Sequence, residues 1–352
     1  MKCIGYSNVI CLLLVLCLVG CSGPANPERT FRLGKSGIVP KSSKKKESAV
    51  QFSGPLFFWK VTKSSNRPPE EKTTDGSKDD QPIHYLLGTP PTVSNNFLPL
   101  PEAIQQPFQK SKILLIQSDP AEFDGVKTTK ILMQGSQAET GKALMSYLTP
   151  ELQKKWKDHL KKLGLPEDAY SKFRPWSGAW QLLRQQLAIQ NSGSGNSLET
   201  HVLASAQTNN MEVRTLEKPE TPLAKAQHLD EQLELLLVEH ILMLGKNLRG
   251  RSQDAFMAWV AGDPALFHRL LRSDFQKQQP KLERLYEEFY DQRSKLMADQ
   301  MDAYFSKNKT TFAVVQADHI GGEKGLLKLL QSKGYQLTQV HAKNEQDNTD
   351  GQ

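Results

Sequence analysis

The sequence predicts an α/β fold, in which a central and mostly buried sheet is flanked by helices and interrupted by a helical middle insertion. Two observations carry this prediction. Apolar runs without polar alternation, at 112–119 and 311–316, are typical of strands covered on both faces. Between them, long stretches carry helical periodicity and helix-start signals. The 352 residues suffice for one large domain or two smaller ones, and no motif recurs at a fixed period.

Three further strands are predicted from short apolar runs near the two ends of the domain. Residues 56–61 and 83–88 should form a hairpin, joined by the polar, proline-containing loop 64–81. A last strand is predicted at 335–340, after a helix at 325–332 that Gly334 ends.

The helices are predicted from their caps and their apolar stripes. Thr149-Pro150-Glu151 combines an N-cap, a proline at the first position and an acid in the first turn, so a helix should run to Leu163 and stop at Gly164. Apolar residues on one face predict an amphipathic helix at 226–248. Further helices are predicted at 252–260, at 264–271 after a break at Gly262-Asp263-Pro264, and at 281–306.

The amino terminus has the pattern of a secretory signal. Lys2 precedes the apolar stretch 9–19, which is too short to span a bilayer comfortably. It ends in Leu18-Val19-Gly20-Cys21, which resembles the bacterial lipobox, so we expect cleavage before Cys21 and lipid on its thiol. The alternative is an ordinary signal peptide or an uncleaved anchor. The resulting organisation is a lipoprotein signal peptide at 1–20, a disordered tether at 21–52, an α/β domain at 53–340 and a flexible tail at 341–352.

Cysteine usage and charge narrow the possible functions. The four cysteines are Cys3, Cys11, Cys17 and Cys21, so cleavage and lipidation leave no free thiol for catalysis or metal ligation. The net charge of +7 lies partly in lysines near residue 45. No nucleic-acid motif accompanies them, and we expect a basic tether beside anionic lipid headgroups rather than a nucleic-acid partner.

Several separate motifs agree with one protein family. The relevant segments are Phe57-Phe58-Trp59-Lys60-Val61, Tyr85-Leu86-Leu87-Gly88-Thr89, the stretch 97–104, Leu114 to Asp119, Leu216-Glu217, Arg293 with Met297-Ala298, and Ala317-Asp318-His319 before a Gly-Leu-Leu helix. Together they resemble the TraB/PrgY/GumN family, which also includes the TIKI metalloproteases. The resemblance implies metal-dependent hydrolysis by two histidines of GxxH motifs and an acidic residue, a donor set that a divalent ion would accept.

The resemblance assigns His319, Glu217 and Arg293 as candidate catalytic residues, but other positions depart from the pattern. The first motif histidine is replaced by Pro91, which has no side-chain ligand atom. The glutamate of a Glu-x-Asp motif is Gln117, a poorer ligand for a hard cation. Two further departures are Gln316, in place of the glycine of the last GxxH, and Gln292, in place of the acid before Arg293.

Two main interpretations of the domain follow from these departures. A third is that the protein is a purely structural component of the envelope. In the first, the domain is catalytically degenerate and acts in binding or assembly with an unknown envelope protein or peptide, and no cofactor is assigned. In the second, it is a metal-dependent hydrolase, using Mn, Co or Zn at a rebuilt site. Candidates for that site are His84, Asp119, Glu217, Asp318 and His319. Ser22 suits sorting to an outer membrane, facing the periplasm, in a Gram-negative host.

The remaining histidines and tryptophans have simpler explanations. We expect the helical histidines, His159, His228, His240 and His268, at surfaces or interfaces. The tryptophans are expected in the core rather than in a ligand box: Trp156, Trp176, Trp180 and Trp259. The charges of 281–293 should form a solvated helix face.

Overall fold

The computed structural model describes residues 50–63, 82–90, 98–190, 197–245, 247–307 and 309–342. The signal peptide, Cys21, the tether as far as residue 49, the loop 64–81, Pro91 and the tail from residue 343 lie outside the described residues. What the sequence predicts for these segments is therefore not tested by the structure and stays a prediction. Among the helices that the structure describes, none combines the length and the apolar composition of a membrane-spanning segment.

A six-stranded mixed sheet forms the centre of the domain, in the order β4-β3-β5-β2-β1-β6. Its strands are β1 (Pro55–Lys63), β2 (His84–Thr89), β3 (Ile113–Ile116), β4 (Glu212–Thr215), β5 (Thr311–Gln316) and β6 (Tyr335–His341). Strands β2, β5, β3 and β4 are parallel to one another, whereas β1 is antiparallel to β2 and β6. The four parallel strands therefore direct their carboxyl ends to one edge of the sheet, where α/β folds place their sites.

Helices cover both faces of this sheet and fill the middle of the chain. They are α1 (Glu102–Lys110), α2 (Gly125–Gly135), α3 (Leu144–Tyr147), α4 (Pro150–Lys162), α5 (Pro175–Gln190), α6 (Leu198–Thr208), α7 (Thr221–Gln227), α8 (Glu231–Leu244), α9 (Leu248–Val260), α10 (Pro264–His268), α11 (Asp274–Gln278), α12 (Leu282–Tyr286), α13 (Gln292–Phe305) and α14 (Leu326–Ser332). Every residue of β3 is buried, as are the first five of β5. The predicted α/β class is confirmed.

The predicted caps and breaks lie where the sequence places them. The Thr149 hydroxyl accepts a hydrogen bond from the Leu152 N–H at 3.3 Å at the start of α4. Gly164 follows α4 in the left-handed region, with φ +68°. At the second break, Gly262 has φ +64° and the Asp263 carboxylate accepts from the Leu266 N–H at 2.8 Å, which starts α10.

Three predictions about the elements are wrong in detail. The helix predicted at 226–248 is two helices, because Asp230 caps the start of α8 by accepting from the Leu233 N–H at 2.8 Å. The helices predicted at 264–271 and 281–306 each contain a π-helical turn, at Arg269–Ser273 and Glu287–Asp291. Strand β4 was not predicted, since its sequence EVRT is short and charged and forms an outer strand of the sheet.

The tryptophans occupy the core as expected, but two histidines do not lie at the surface. Trp156, Trp176, Trp180 and Trp259 are all buried. His240 is 1% exposed, packed edge-on against Phe275 and Tyr286, and burial lowers its pKa to about 3. His159 is also buried. A histidine on a helix can lie at the surface as a polar residue or fill the core as an aromatic ring, and its position on the helix alone does not tell which.

Candidate functional site

The candidate site lies at the carboxyl edge of the four parallel strands. Thr89 ends β2, Gln117 follows β3, and Glu217 comes two residues after β4. After β5, a single 3₁₀ turn carries Asp318 and His319. Helix α13 crosses this edge and contributes Arg293 and Ser294, both buried. Residues distant in sequence therefore meet because parallel strands end together.

A buried ion pair joins the candidate catalytic residues Glu217 and Arg293. The Arg293 Nε donates to Glu217 Oε2 at 2.9 Å, and Nη2 donates to the other carboxylate oxygen. Its Nη1 donates to the Phe289 carbonyl at 2.8 Å, within a π-helical turn. Burial would lower the pKa of Arg293, but the Glu217 carboxylate keeps that pKa raised. The guanidinium is therefore a fixed positive charge that neutralises Glu217.

The amide of Gln117 links three strands of the site. Its Oε1 accepts a hydrogen bond from the Gln316 backbone N–H at 2.9 Å. Its Nε2 donates to Glu217 Oε1 at 2.9 Å and to Gln316 Oε1 at 3.2 Å. Because a backbone N–H only donates, Oε1 must face it, and this fixes the amide orientation. The neutral amide thus uses its donor and acceptor sides in one buried network.

Asp318 and His319 form a second buried pair beside this network. The Ser294 hydroxyl lies 2.8 Å from His319 Nδ1, while His319 Nε2 is 3.9 Å from Asp318 Oδ1. Neither Nε2 nor the two Asp318 oxygens has a hydrogen-bond partner among the described residues. Burial raises the pKa of Asp318 to about 7, and burial with the Arg293 and Arg272 charges lowers the pKa of His319 well below its ordinary value.

Among the described residues, the cavity beside Asp318 is small. A cavity of about 10 Å³ adjoins Asp318, lined by His268, Leu271, Arg272, Tyr286 and Tyr290. This is close to the smallest volume that holds one water molecule. The side chain of His319 is fully buried, and that of Asp318 is 4% exposed. The cavity that Asp318 lines is therefore too small to hold a peptide substrate.

The donor set does not fit the metal centre that the resemblance implies. In the part of the chain that the structure describes, no group of three His, Cys, Asp or Glu side chains could hold a metal ion. Both oxygens of Glu217 already accept hydrogen bonds from Arg293. The remaining pair, Asp318 and His319, supplies two donors where a zinc-type site takes at least three protein ligands. Pro91 lies outside the described residues.

Two residues proposed for a rebuilt site lie elsewhere or have another role. His84 is at the amino end of β2, whereas Thr89 is at the carboxyl end, where the site lies. The His84 ring stacks on the Phe305 ring, with 4.5 Å between the ring centroids. Burial lowers its pKa to about 4, so it is a neutral core residue. The Asp119 carboxylate accepts from the Ala121 N–H at 2.8 Å and caps a 3₁₀ turn.

The sequence motifs assign no role to three polar residues of the site, Thr89, Glu199 and Ser294. The Thr89 hydroxyl donates to the Glu199 carboxylate, which the first turn of α6 places at the end of β2. The charge of Glu199 also contributes to the raised pKa of Asp318. Ser294 contacts His319 from α13. In the sequence, only the N-cap Ser197 before Leu198-Glu199 marks the start of α6. No local pattern indicates that this helix start lies at the edge of the sheet.

A comparison with known proteins gives the same family as the sequence motifs. The model of the TraB/PrgY/gumN family matches residues 74–339, which include β2 to β5 and every site residue described above. No curated protein and no solved structure is significantly similar to the chain. Because this match spans most of the sequence and agrees with the α/β architecture, the chain belongs to the TraB/PrgY/gumN family.

Proposed function

We propose that this protein is a lipid-anchored component of the cell envelope whose TraB/PrgY/gumN domain acts in binding or assembly rather than in hydrolysis. The observation that carries the proposal is the position of the Gln117 amide nitrogen, which donates to both Glu217 and Gln316. In a metal site, acceptor oxygens converge on a cation. Here an amide N–H₂ lies between those oxygens and satisfies them without an ion.

The charges of the site support the same proposal. Arg293, 1% exposed, is already the counter-ion of Glu217. A divalent ion placed against the same carboxylate would lie close to this guanidinium and be repelled by it. Glutamine at 117 removes a second carboxylate that would otherwise attract the ion. The substitution therefore completes a neutral, hydrogen-bonded network in place of a metal centre.

The anchor is proposed from the amino-terminal sequence. The lipobox-like Leu18-Val19-Gly20-Cys21 predicts cleavage and acylation at Cys21, with the domain on the outer side of the membrane. In a Gram-negative host, Ser22 favours the outer membrane, with the domain facing the periplasm. Replacement of Cys21 by Ala should move the protein out of the membrane fraction and abolish labelling by a fatty-acid probe. Membrane association that persists without label would contradict the anchor.

The non-hydrolytic role is tested by metal content and peptide hydrolysis. The purified full chain is incubated with Mn²⁺, Co²⁺ or Zn²⁺, desalted and analysed for bound metal, with a His319→Ala variant in parallel. We expect less than one equivalent of metal in both proteins and no cleavage of a mixed peptide library. Stoichiometric metal together with cleavage, both lost in His319→Ala, would establish the hydrolase instead.

One observation favours that second function. Asp318 and His319 present buried polar atoms that have no hydrogen-bond partner among the residues the structure describes, and such atoms are rare unless a water, ion or substrate uses them. A metal-dependent hydrolase rebuilt around His319 would need a further ligand from residues such as Glu199 and an opening of the enclosing helices. The metal analysis distinguishes the two functions directly.

A further inference from the structure

The two outer strands of the sheet differ in how their unpaired side is protected. Such a side offers free backbone groups to another strand, and proteins protect it with charges, proline or a short strand. Strand β4 has only four residues, with an ion pair of 2.9 Å between Glu212 and Arg214. Strand β6 has seven residues, YQLTQVH, without Asp, Glu, Lys, Arg or Pro. Its own side chains therefore leave its outer side open to pairing.

Strand β6 is also regular and held in place. It pairs with β1 in unbroken register from Tyr335 to Gln339, and the one irregularity lies in β1 between Pro55 and Trp59. The Ala342 N–H donates to the Gly54 carbonyl at 2.9 Å and prolongs the ladder. Among the described residues, β6 pairs with no strand except β1. The strand is thus a preformed template in regular register, and no other described strand pairs with its outer side.

We propose that β6 pairs antiparallel with β6 of a second copy of this chain, about a two-fold axis at Thr338. The two sheets would then continue into each other through an isologous contact, the commonest symmetry of homodimers. The proposal rests on the proposed function, because the lipid anchors bring the copies together in one membrane.

The side chains of β6 suit this pairing. An axis at Thr338 places Leu337 opposite Gln339, Gln336 opposite Val340, and Tyr335 opposite His341, so no like charges face each other. Gln336 and Thr338 are exposed, and Leu337 and Val340 are half-buried. Their uncovered apolar surface would be buried against the partner strand.

The position of the tether favours a second copy over an unrelated peptide. The described part of the chain begins at Val50, and Gly54 is hydrogen-bonded to Ala342, which follows the last residue of β6. Residues 22–49 thus connect the anchor to this end of the sheet, with a reach of at most roughly 100 Å at about 3.5 Å per residue. Every anchored copy therefore keeps its open strand within roughly 100 Å of the membrane that confines the others.

The size of the contact predicts where it forms. A standard stable interface buries about 800 Å² per partner, and a single seven-residue strand covers less than that. Association should therefore be weak in dilute solution and pronounced when anchors raise the effective concentration. This dependence makes cross-linking in the membrane the appropriate test.

Disulfide cross-linking tests the pairing in the full chain. All four native cysteines lie within the first 21 residues, so an introduced cysteine is the single thiol of the domain. Residues paired on the axis have Cβ atoms about 4.5–5.5 Å apart, near the range of a disulfide. Thr338→Cys is compared with Thr208→Cys, an exposed threonine on α6. Membranes are oxidised mildly, and dimers are quantified on non-reducing gels.

We expect at least about tenfold more dimer for Thr338→Cys than for Thr208→Cys. Adding Gln336→Lys should remove the difference, because a lysine on an outer strand opposes pairing. Unchanged thermal unfolding of the lysine variant would show that the fold is intact. Equal cross-linking at both positions would overturn the pairing.

Fatty-acid labelling of the same membranes separates the two proposals. Label without cross-linking specific for position 338 would overturn the pairing and leave the anchor standing. Cross-linking specific for position 338 without label would support the pairing and contradict the anchor. The wild-type chain should give no disulfide dimer, because lipid occupies Cys21 and the other cysteines leave with the signal.

Discussion

The substitution Gln117→Glu tests the neutral network most directly. It keeps the size of the side chain but replaces the amide N–H₂ with an oxygen that faces Glu217 and Gln316. Two donated hydrogen bonds become contacts between acceptors, and one of these acceptors is charged. From the cost of buried unsatisfied and like-charged groups, we expect a loss of about 3–5 kcal/mol in the free energy of unfolding at pH 7.

The loss should depend on pH with a defined sign. Glu217 and burial both disfavour a second carboxylate, so the folded-state pKa of the introduced glutamate should lie above its unfolded value of about 4.3. Such a group destabilises the fold as pH rises above the unfolded pKa, and the penalty disappears as pH falls below it. Protonation also restores a donor toward Glu217. The difference from wild type should therefore shrink between pH 7 and pH 5.

Denaturant unfolding followed by tryptophan fluorescence measures this effect, since the chain contains five tryptophans. Gln331→Glu, at an exposed position on α14, is the matched control and should change stability by less than about 0.5 kcal/mol. The m-value should stay constant, which shows that the extent of unfolding is the same. A loss at pH 7 no larger than that of the control, or a loss independent of pH, would refute the role assigned to Gln117.

Three further predictions concern the same network and the backbone. Arg293→Met should destabilise the domain by about 3–5 kcal/mol, because it leaves the Glu217 carboxylate, whose side chain is 9% exposed, without its counter-ion; a change below about 1 kcal/mol in denaturant unfolding would contradict the ion pair. The raised pKa of Asp318, about 7, means that its contribution is fully present below about pH 4 and is lost as pH rises toward 7. Asp318→Asn should therefore flatten the fall in unfolding free energy over that range, and an unchanged slope would contradict it. Gly262→Ala should lower the melting temperature more than Gly334→Ala, since both have positive φ but a Cβ at Gly262 alone would meet a backbone carbonyl oxygen of β1; equal effects would contradict this steric argument.

Local signals predicted most of the elements, because caps and apolar runs act over a few neighbouring residues. The start of α4 at Thr149 and the break at Gly262 are examples, since hydrogen bonds within four residues and a positive φ determine them. The helix predicted at 226–248 divides at Asp230, because a side-chain cap outweighs a continuous apolar stripe. Strand β4 escaped prediction because its pairing with β3, rather than its own propensity, makes it a strand.

Sequence alone was sufficient to predict the α/β class, the motifs that resemble the TraB/PrgY/gumN family, and the departures at Pro91 and Gln117. These depend on residue type and order, which the printed sequence contains. The tertiary structure decided how those residues meet. In the folded domain, Gln117 is hydrogen-bonded to Glu217 and Gln316, and Arg293 is paired with Glu217. His84 lies at the amino end of β2, whereas the site lies at the carboxyl end. The physical reason is that hydrogen bonds and ion pairs between distant segments depend on the order of the strands in the sheet, which no local pattern encodes.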